Sequence, residues 1–233
     1  MRQSAFPGNN QEKVKNNLKQ KFPGVYLFDN RLATKNLVPG TTVYGEKTFR
    51  ESGQEYRAWD PRRSKLAAAI VKGLRDCPVK PGMTVLYLGA ANGTTASHVS
   101  DVVGESGSVY CVEFSAHAMR DLLRVCEQRK NMFPILADAR LPEKYVDAVP
   151  AKVDLVYADV ADRDQTQILL RNAKQFNAGL LAIAVKARCI NSVKPPKQVF
   201  AEERQKITGE AEVLDFVLLD PFEADHCFIV ARR

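Results

Sequence analysis

No run of the chain comes near the ~18 consecutive apolar residues that a membrane-spanning helix needs. The first twenty residues are polar and lack the apolar core of a secretory leader, so an intracellular protein without a membrane partner is expected. Cysteine is sparse and unpatterned. The five, Cys77, Cys111, Cys126, Cys189 and Cys227, are odd in number and form no C-x-x-C spacing. That argues against a disulfide framework or a zinc knuckle and for reduced, mostly buried thiols. His226 and Cys227 are adjacent, but neighbours on a strand point to opposite faces, which argues against a Cys–His nucleophile pair. Internal repeats, low-complexity tracts and a Gly/Arg-rich tail are also missing.

What remains is ordinary globular material. The 233 residues are 45% hydrophobic and 26% charged, enough for one α/β domain with a small appendage. The net charge is +7, from 34 basic and 27 acidic residues. Such an excess suits a polyanionic partner such as RNA. Lysine and arginine are scattered rather than massed, so charge supports that reading without establishing it.

Residues 1–21, rich in Asn, Gln and Lys, are expected to be loosely ordered. Residues 22–59 read as a small antiparallel β unit. Its strands are expected at Val25–Phe28, Arg31–Thr34, Thr41–Tyr44 and Glu55–Trp59, the last half exposed because polar and apolar residues alternate. At Asp60-Pro61 a helix start is expected, with Asp as cap and Pro at the first helical position. Leu66, Ala67, Ala69, Ile70 and Leu74 give that helix an apolar face, and it should stop near Asp76-Cys77-Pro78.

From Thr84 onward, residues 60–233 read as one α/β domain. Strands are expected at Thr84–Leu88, Ser108–Val112, Met132–Leu136, Asp154–Ala158 and Leu180–Val185, with helices at Thr95–Val103 and Ala118–Arg129. This alternation predicts a doubly wound, mostly parallel sheet. Leu214–Leu219 and Cys227–Ala231 lie too close together for a crossover helix and must form an antiparallel hairpin. That ending marks a Rossmann-like class I methyltransferase fold with seven strands, rather than a plain dinucleotide-binding fold.

Open α/β sheets bind ligands at the carboxyl ends of their strands. The first strand of this sheet ends in Gly89-Ala90-Ala91-Asn92-Gly93-Thr94-Thr95. Its glycines allow a tight turn, and the following helix start offers free N–H groups to an anion. The pattern is not G-x-G-x-x-G, which argues against a nicotinamide oxidoreductase. Glu113 ends the second strand, where a carboxylate can accept from both ribose hydroxyls of an adenosyl cofactor. Asp138 ends the third strand, where a carboxylate can accept from an adenine amino group. Three polar groups on three successive strand ends favour S-adenosyl-L-methionine. Gly89, Ala91, Gly93, Thr94, Thr95, Glu113, Phe114, Asp138, Ala139 and Asp159 form the candidate cofactor set; no metal site is expected.

From about Leu27 onward the chain resembles the fibrillarin family. The likeness is carried by Thr34–Gly40 with Val43–Lys47, by Glu55–Pro61 with Arg63–Ile70, and by Val85–Ala91 with Gly93–Asp101. Further on it is carried by Ala158–Ala161, by Val185–Arg188, and by Asp220-Pro221-Phe222 with Asp225-His226. It departs from the family at Asn92, where a small residue is usual, and at Asp162-Arg163, where Gln-Pro is usual. The resemblance implies a β-rich N-terminal domain on a class I methyltransferase. It also implies guide-directed methylation of ribosomal RNA 2′-hydroxyls, with transfer RNA as a further target. The implied assembly is a box C/D particle: a Nop-family scaffold protein, a kink-turn-binding protein, a guide RNA and the target RNA. A cytoplasmic enzyme is implied if the source is archaeal, a nucleolar one if eukaryotic. The family's catalytic constellation falls on Lys65, Asp159, Lys186 and His226. In it Lys186 meets the 2′-oxygen as general base or orienter, with Lys65 as the neighbouring cation; Asp159 positions Lys186, and His226 supports the cluster or the target ribose. Arg57, Arg62, Arg63 and Arg188 are candidates for phosphate contact. The competing readings are methylation of a protein side chain, such as a histone glutamine, from the same cofactor pocket, and a scaffold subunit that binds cofactor without turnover.

Overall fold

The computed structural model describes residues 18–233. The expectation for residues 1–17 therefore lies outside the described residues. Leu18–Phe22 form strand β1, so strand structure begins four residues ahead of the expected boundary at 22. β1 pairs with β2 (Val25–Phe28), β2 with β3 (Arg31–Lys35), β3 with β5 (Gln54–Ala58), and β5 with β4 (Thr48–Glu51), all antiparallel.

Two expectations fail in this sheet. Thr41–Tyr44 is a loop, because the Val43 and Tyr44 N–H groups donate to the Glu46 carboxylate rather than to a neighbouring strand. The strand lies instead at Thr48–Glu51, where Phe49 stacks on Phe28 with centroids 3.8 Å apart. β5 is not half exposed either: Glu55, Tyr56 and Arg57 are all buried. Alternation misleads there because the charged residues have buried partners.

The second sheet has seven strands in the order β11-β12-β10-β9-β6-β7-β8. Its parallel part is β6 (Thr84–Leu88), β7 (Ser108–Glu113), β8 (Met132–Leu136), β9 (Leu155–Ala158) and β10 (Leu180–Lys186). β11 (Glu212–Leu218) and β12 (His226–Arg232) form the expected hairpin, with β12 inserted antiparallel beside β10. One apolar layer packs Leu66 and Ile70 of α1 (Lys65–Val71), Val99 of α2 (Thr94–Val103) and Leu122 of α3 (Ala116–Gln128) against the sheet. The opposite layer packs Leu169 of α4 (Gln165–Gln175) and Phe200 of α6 (Pro196–Thr208), with the short α5 (Ala187–Ile190) beside them. Among the described residues, no helix is long and apolar enough to cross a membrane.

α1 starts at Lys65 and not at Pro61. The Asp60 carboxylate spends itself on the Arg62 N–H within a turn, and Ser64 becomes the cap, its hydroxyl accepting from Ala67 N–H. The helix ends at Val71, ahead of Gly73 in the left-handed region. This start makes Lys65 the first helical residue, at the rim of the sheet.

The two sheets are joined through α2 by a buried polar network. Asp101 Oδ2 accepts from Arg57 Nε at 3.0 Å and from Thr34 Oγ1 at 2.8 Å; Oδ1 accepts from Arg129 Nη1 at 2.6 Å and from Leu37 N–H at 3.1 Å. Arg57 also pairs with Glu46 at 2.8 Å. Arg57 is thus fully buried, which removes it from the candidates for phosphate contact. His98 stacks on Trp59, with Nδ1 at 2.8 Å from Thr34 Oγ1 and Nε2 at 2.8 Å from Tyr44 Oη.

Burial, reinforced by the Arg57 and Arg129 charges, holds the His98 imidazole well below its ordinary value of 6.5. A base whose folded value is depressed leaves the unfolded chain binding more protons, so stability is whole above about 6.5 and declines as pH falls below it. The carboxyls of Glu55, Asp138 and Glu202 are held low by hydrogen bonds and weaken the fold only below the ordinary carboxylate range. Melting temperature should therefore already fall between pH 6.5 and 5. A flat profile over that window would contradict a neutral buried His98.

Candidate active site

Five parallel strands end on one rim, and each delivers a candidate residue there: Gly89 after β6, Glu113 from β7, Asp138 after β8, Asp159 after β9 and Lys186 from β10. A cavity of about 450 Å³ opens on this rim, within the usual range for small-molecule sites. Gly89, Ala91, Glu113, Phe114, Asp138, Ala139 and Asp159 of the candidate cofactor set line it, together with Lys186. Gly89 sits at φ +79°, and a Cβ there would meet Asp159 O at 2.9 Å. Glycine is required both for the turn and for the approach of the two loops.

Glu113 is buried, and both its oxygens brace the pocket wall. Oε2 accepts from Ala91 N–H at 2.9 Å and Oε1 from Ser115 N–H at 2.8 Å. Each oxygen retains a lone pair for a ribose hydroxyl. Phe114 is 78% exposed, an unusual outlay of apolar surface that offers a face to a flat ring. Asp138 is not a free acceptor. Arg140 grips it from Nε and Nη2, at 2.9 and 2.6 Å to Oδ2, and that contact lowers the Asp138 carboxyl below its ordinary range. An adenine amino group must share this carboxylate with the guanidinium.

Gly93, Thr94 and Thr95 stand outside the cavity lining. Gly93 faces Leu122 and Val125 of α3, and Thr94 and Thr95 form the first turn of α2. The structure does not bring these three of the candidate set into the cavity lining. Asn92 likewise points away, donating to Asp121 Oδ2 at 3.0 Å. Sequence reasoning did not place Val160, Ala161, Asp162, Arg140 and Ile168 in the site, and with Val112 and Ala137 they complete the lining. The strand-end rule, carried past Asp159, reaches the first three. Asp162 Oδ1 accepts from Asp164 N–H at 2.8 Å, so this side chain turns the loop into α4.

The charged cluster closes one side of the cavity. Lys186 Nζ lies 2.8 Å from Asp159 O and 2.9 Å from Asp159 Oδ1; Lys65 Nζ lies 3.3 Å from the same carboxylate. All three side chains are between 12% and 17% exposed, screened from bulk solvent yet reachable. Oδ1 has close cations but no directed hydrogen bond, so it retains acceptor capacity. His226 is directly opposite Lys186 in the β10–β12 ladder, on the same face of the sheet. Its Nδ1 is 2.6 Å from Ala224 O, tying it to the loop before β12. Tyr87 and Tyr157 stack beneath Asp159, and burial keeps both phenols protonated. Arg62 and Arg63 remain exposed, over the rings of Phe222 and Tyr44, while Arg188 is held by Asp225 at 2.8 Å. Among the described residues no cluster suited to a metal ion occurs.

The family model described as fibrillarin matches residues 16–233. The chain belongs to the fibrillarin family. A fibrillarin-like rRNA/tRNA 2′-O-methyltransferase of Thermococcus onnurineus is 51% identical over 222 residues, 92% of this chain and 98% of that one. Among solved structures, Aeropyrum pernix fibrillarin with natively bound S-adenosyl-L-methionine superposes with a TM-score of 0.85 at 49% identity, covering 94% and 98% of the two chains. A fibrillarin in complex with Nop5p gives 0.85 at 42% identity, covering 92% and 100%. The fibrillarin identity accounts for the pairing of a small β sheet with a methyltransferase-type sheet.

Proposed function

We infer that this chain transfers a methyl group from S-adenosylmethionine to ribose 2′-hydroxyls of RNA. The carrying observation is the Lys65–Asp159–Lys186 cluster at the wall of a cavity suited to an adenosyl ligand. The residues fit that ligand on their own geometry: a glycine where a Cβ would collide, a buried carboxylate with spare lone pairs, and an exposed aromatic face. Glu113 would hold the ribose, Phe114 and Ala139 the base, and Asp138 the amino group. When bound, the cofactor supplies an electrophilic methyl on a sulfonium, so C–O formation and C–S cleavage occur together.

The rest falls to this chain's own groups. An ammonium has three donors; the Asp159 carbonyl takes one from Lys186, the contact with Oδ1 is charge pairing without a directed hydrogen bond, and a donor stays free for the incoming 2′-oxygen. Lys65 adds a second positive charge that favours oxygen's developing negative charge. The hydroxyl proton passes to the Asp159–Lys186 pair, where Oδ1 has a lone pair to receive it. His226, facing Lys186, supports the target ribose. Exposed Arg62 and Arg63 contact the flanking phosphates.

A Nop-family scaffold is the partner that the Nop5p-bound relative supports. Kink-turn protein, guide RNA and ribosomal RNA target complete the particle in this reading. The test is reconstitution with those components, followed by mapping of methylated riboses. Methylation should appear at the one nucleotide the guide specifies and move when the guide is changed. Methyl transfer to histone glutamine, with none to RNA, would overturn the assignment.

A further inference from the structure

We propose that Gln165 is a positioning residue for the transfer step: an amide clamp that holds the strand end bearing Lys186 against the loop bearing Asp159. The inference rests on the reading of Lys186 given above.

The need for a clamp follows from the ladder. β9 pairs with β10 from Leu155 opposite Leu180 to Ala158 opposite Ile183. β10 then runs three residues further. On one edge β12 follows it to the end, with His226 opposite Lys186. On the other edge β9 has ended, and the backbone of Lys186 has no strand beside it.

The Gln165 side chain takes that place. Its Oε1 accepts from Lys186 N–H at 2.9 Å, and its Nε2 donates to Lys186 O at 3.3 Å and to Asp162 O at 2.9 Å. A primary amide presents an acceptor and donors side by side, as a peptide does, and so reproduces a rung of the missing strand. Gln165 is fully buried, a position that glutamine rarely occupies unless its polar atoms are matched. All three of its side-chain hydrogen bonds go to backbone, and full burial keeps it from substrate.

The clamp joins three pieces: the end of β10, the 159–164 loop through Asp162 O, and α4, which Gln165 itself begins. Lys186 is thus pinned at both ends, at its backbone by Gln165 and at Nζ by Asp159. Without the first pin, Nζ can still reach Asp159, but the donor it offers to the 2′-oxygen loses its fixed aim. A displacement of about 1 Å in a reacting constellation can cost about 100-fold in rate.

The test compares Gln165→Leu with the native chain in the reconstituted particle. It reads single-turnover methyl transfer, half-saturation by RNA, cofactor affinity by calorimetry, and melting temperature. The transfer rate should fall about 100-fold, with cofactor affinity and RNA half-saturation within about three-fold of native. A rate within about three-fold of native overturns the clamp, and so does a cofactor affinity that falls in step with the rate. If Gln165→Leu does not fold, Gln165→Glu decides by the same criteria. It keeps an acceptor for Lys186 N–H but offers no donor to the two carbonyls. Lys186→Met is run alongside. Full activity in that variant overturns the parent reading and the clamp with it; an inactive Lys186→Met beside fully active Gln165 variants removes the clamp alone.

Discussion

Asp101→Ala should lose about 3–5 kcal/mol of folding stability, read from the denaturant midpoint, and roughly 10 °C of melting temperature. The size follows from what is left behind. Asp101 accepts from two guanidiniums that are themselves buried, Arg57 and Arg129. Removing its carboxylate leaves two cations facing one anion, Glu46, away from water. A charge stranded in this way costs far more than the pair contributed when whole. Exchanging Arg57, Asp101, Arg129 and Glu46 together for a well-packed apolar set strands no charge and need not destabilise the fold at all. The network specifies how the N-terminal sheet seats on α2, because each charge accepts only one docking geometry. A loss under about 1 kcal/mol for Asp101→Ala would mean that water reaches the network.

The same buried charges mark where sequence reading failed. Glu55 and Arg57 look like the exposed half of an alternating strand. Their partners, Asn36 with the Gly40 N–H for Glu55, and Glu46, Ser97 and Asp101 for Arg57, lie up to 44 positions away. Periodicity carries no information about such partners. The parallel sheet was legible for the opposite reason. Val85–Leu88, Val109–Val112 and Leu181–Val185 are near-continuous apolar runs, which only burial on both faces explains. Once those strands are placed, with β8 and β9 between helices beside them, the five strand ends place Gly89, Glu113, Asp138, Asp159 and Lys186 on one rim. The start of α1 was misread by four residues because Asp60 and Ser64 are both competent caps, and the choice depends on which one the turn consumes. Gln165 gave no local signal. Its role exists only because β9 ends before β10 does, a difference in strand length that a single sequence does not display.

Lys186→Met should lower single-turnover methyl transfer about 10²–10⁴-fold while cofactor affinity stays within about three-fold. Methionine keeps much of the side chain's length and apolar stem, so the cavity wall survives. What goes is the ammonium that Asp159 holds at 2.8 and 2.9 Å and that offers its remaining donor to the 2′-oxygen. Lys186→Arg should not restore the rate. A planar guanidinium spreads its donors over a wider fork and cannot place one proton where the compact ammonium does. Lys65→Met should fall between, since Lys65 lies 3.3 Å from the Asp159 carboxylate and acts on the reacting oxygen through charge alone. Asp159→Asn differs from all three. It removes the one anion of the cluster, the group that would balance a positively charged sulfonium, so both rate and cofactor affinity should suffer. This ordering separates a cluster that performs the transfer from one that merely builds the pocket: in the second case all four substitutions would lower cofactor affinity and rate together. Native-like transfer by Lys186→Met would leave the cluster structural and move the chemistry elsewhere on the rim.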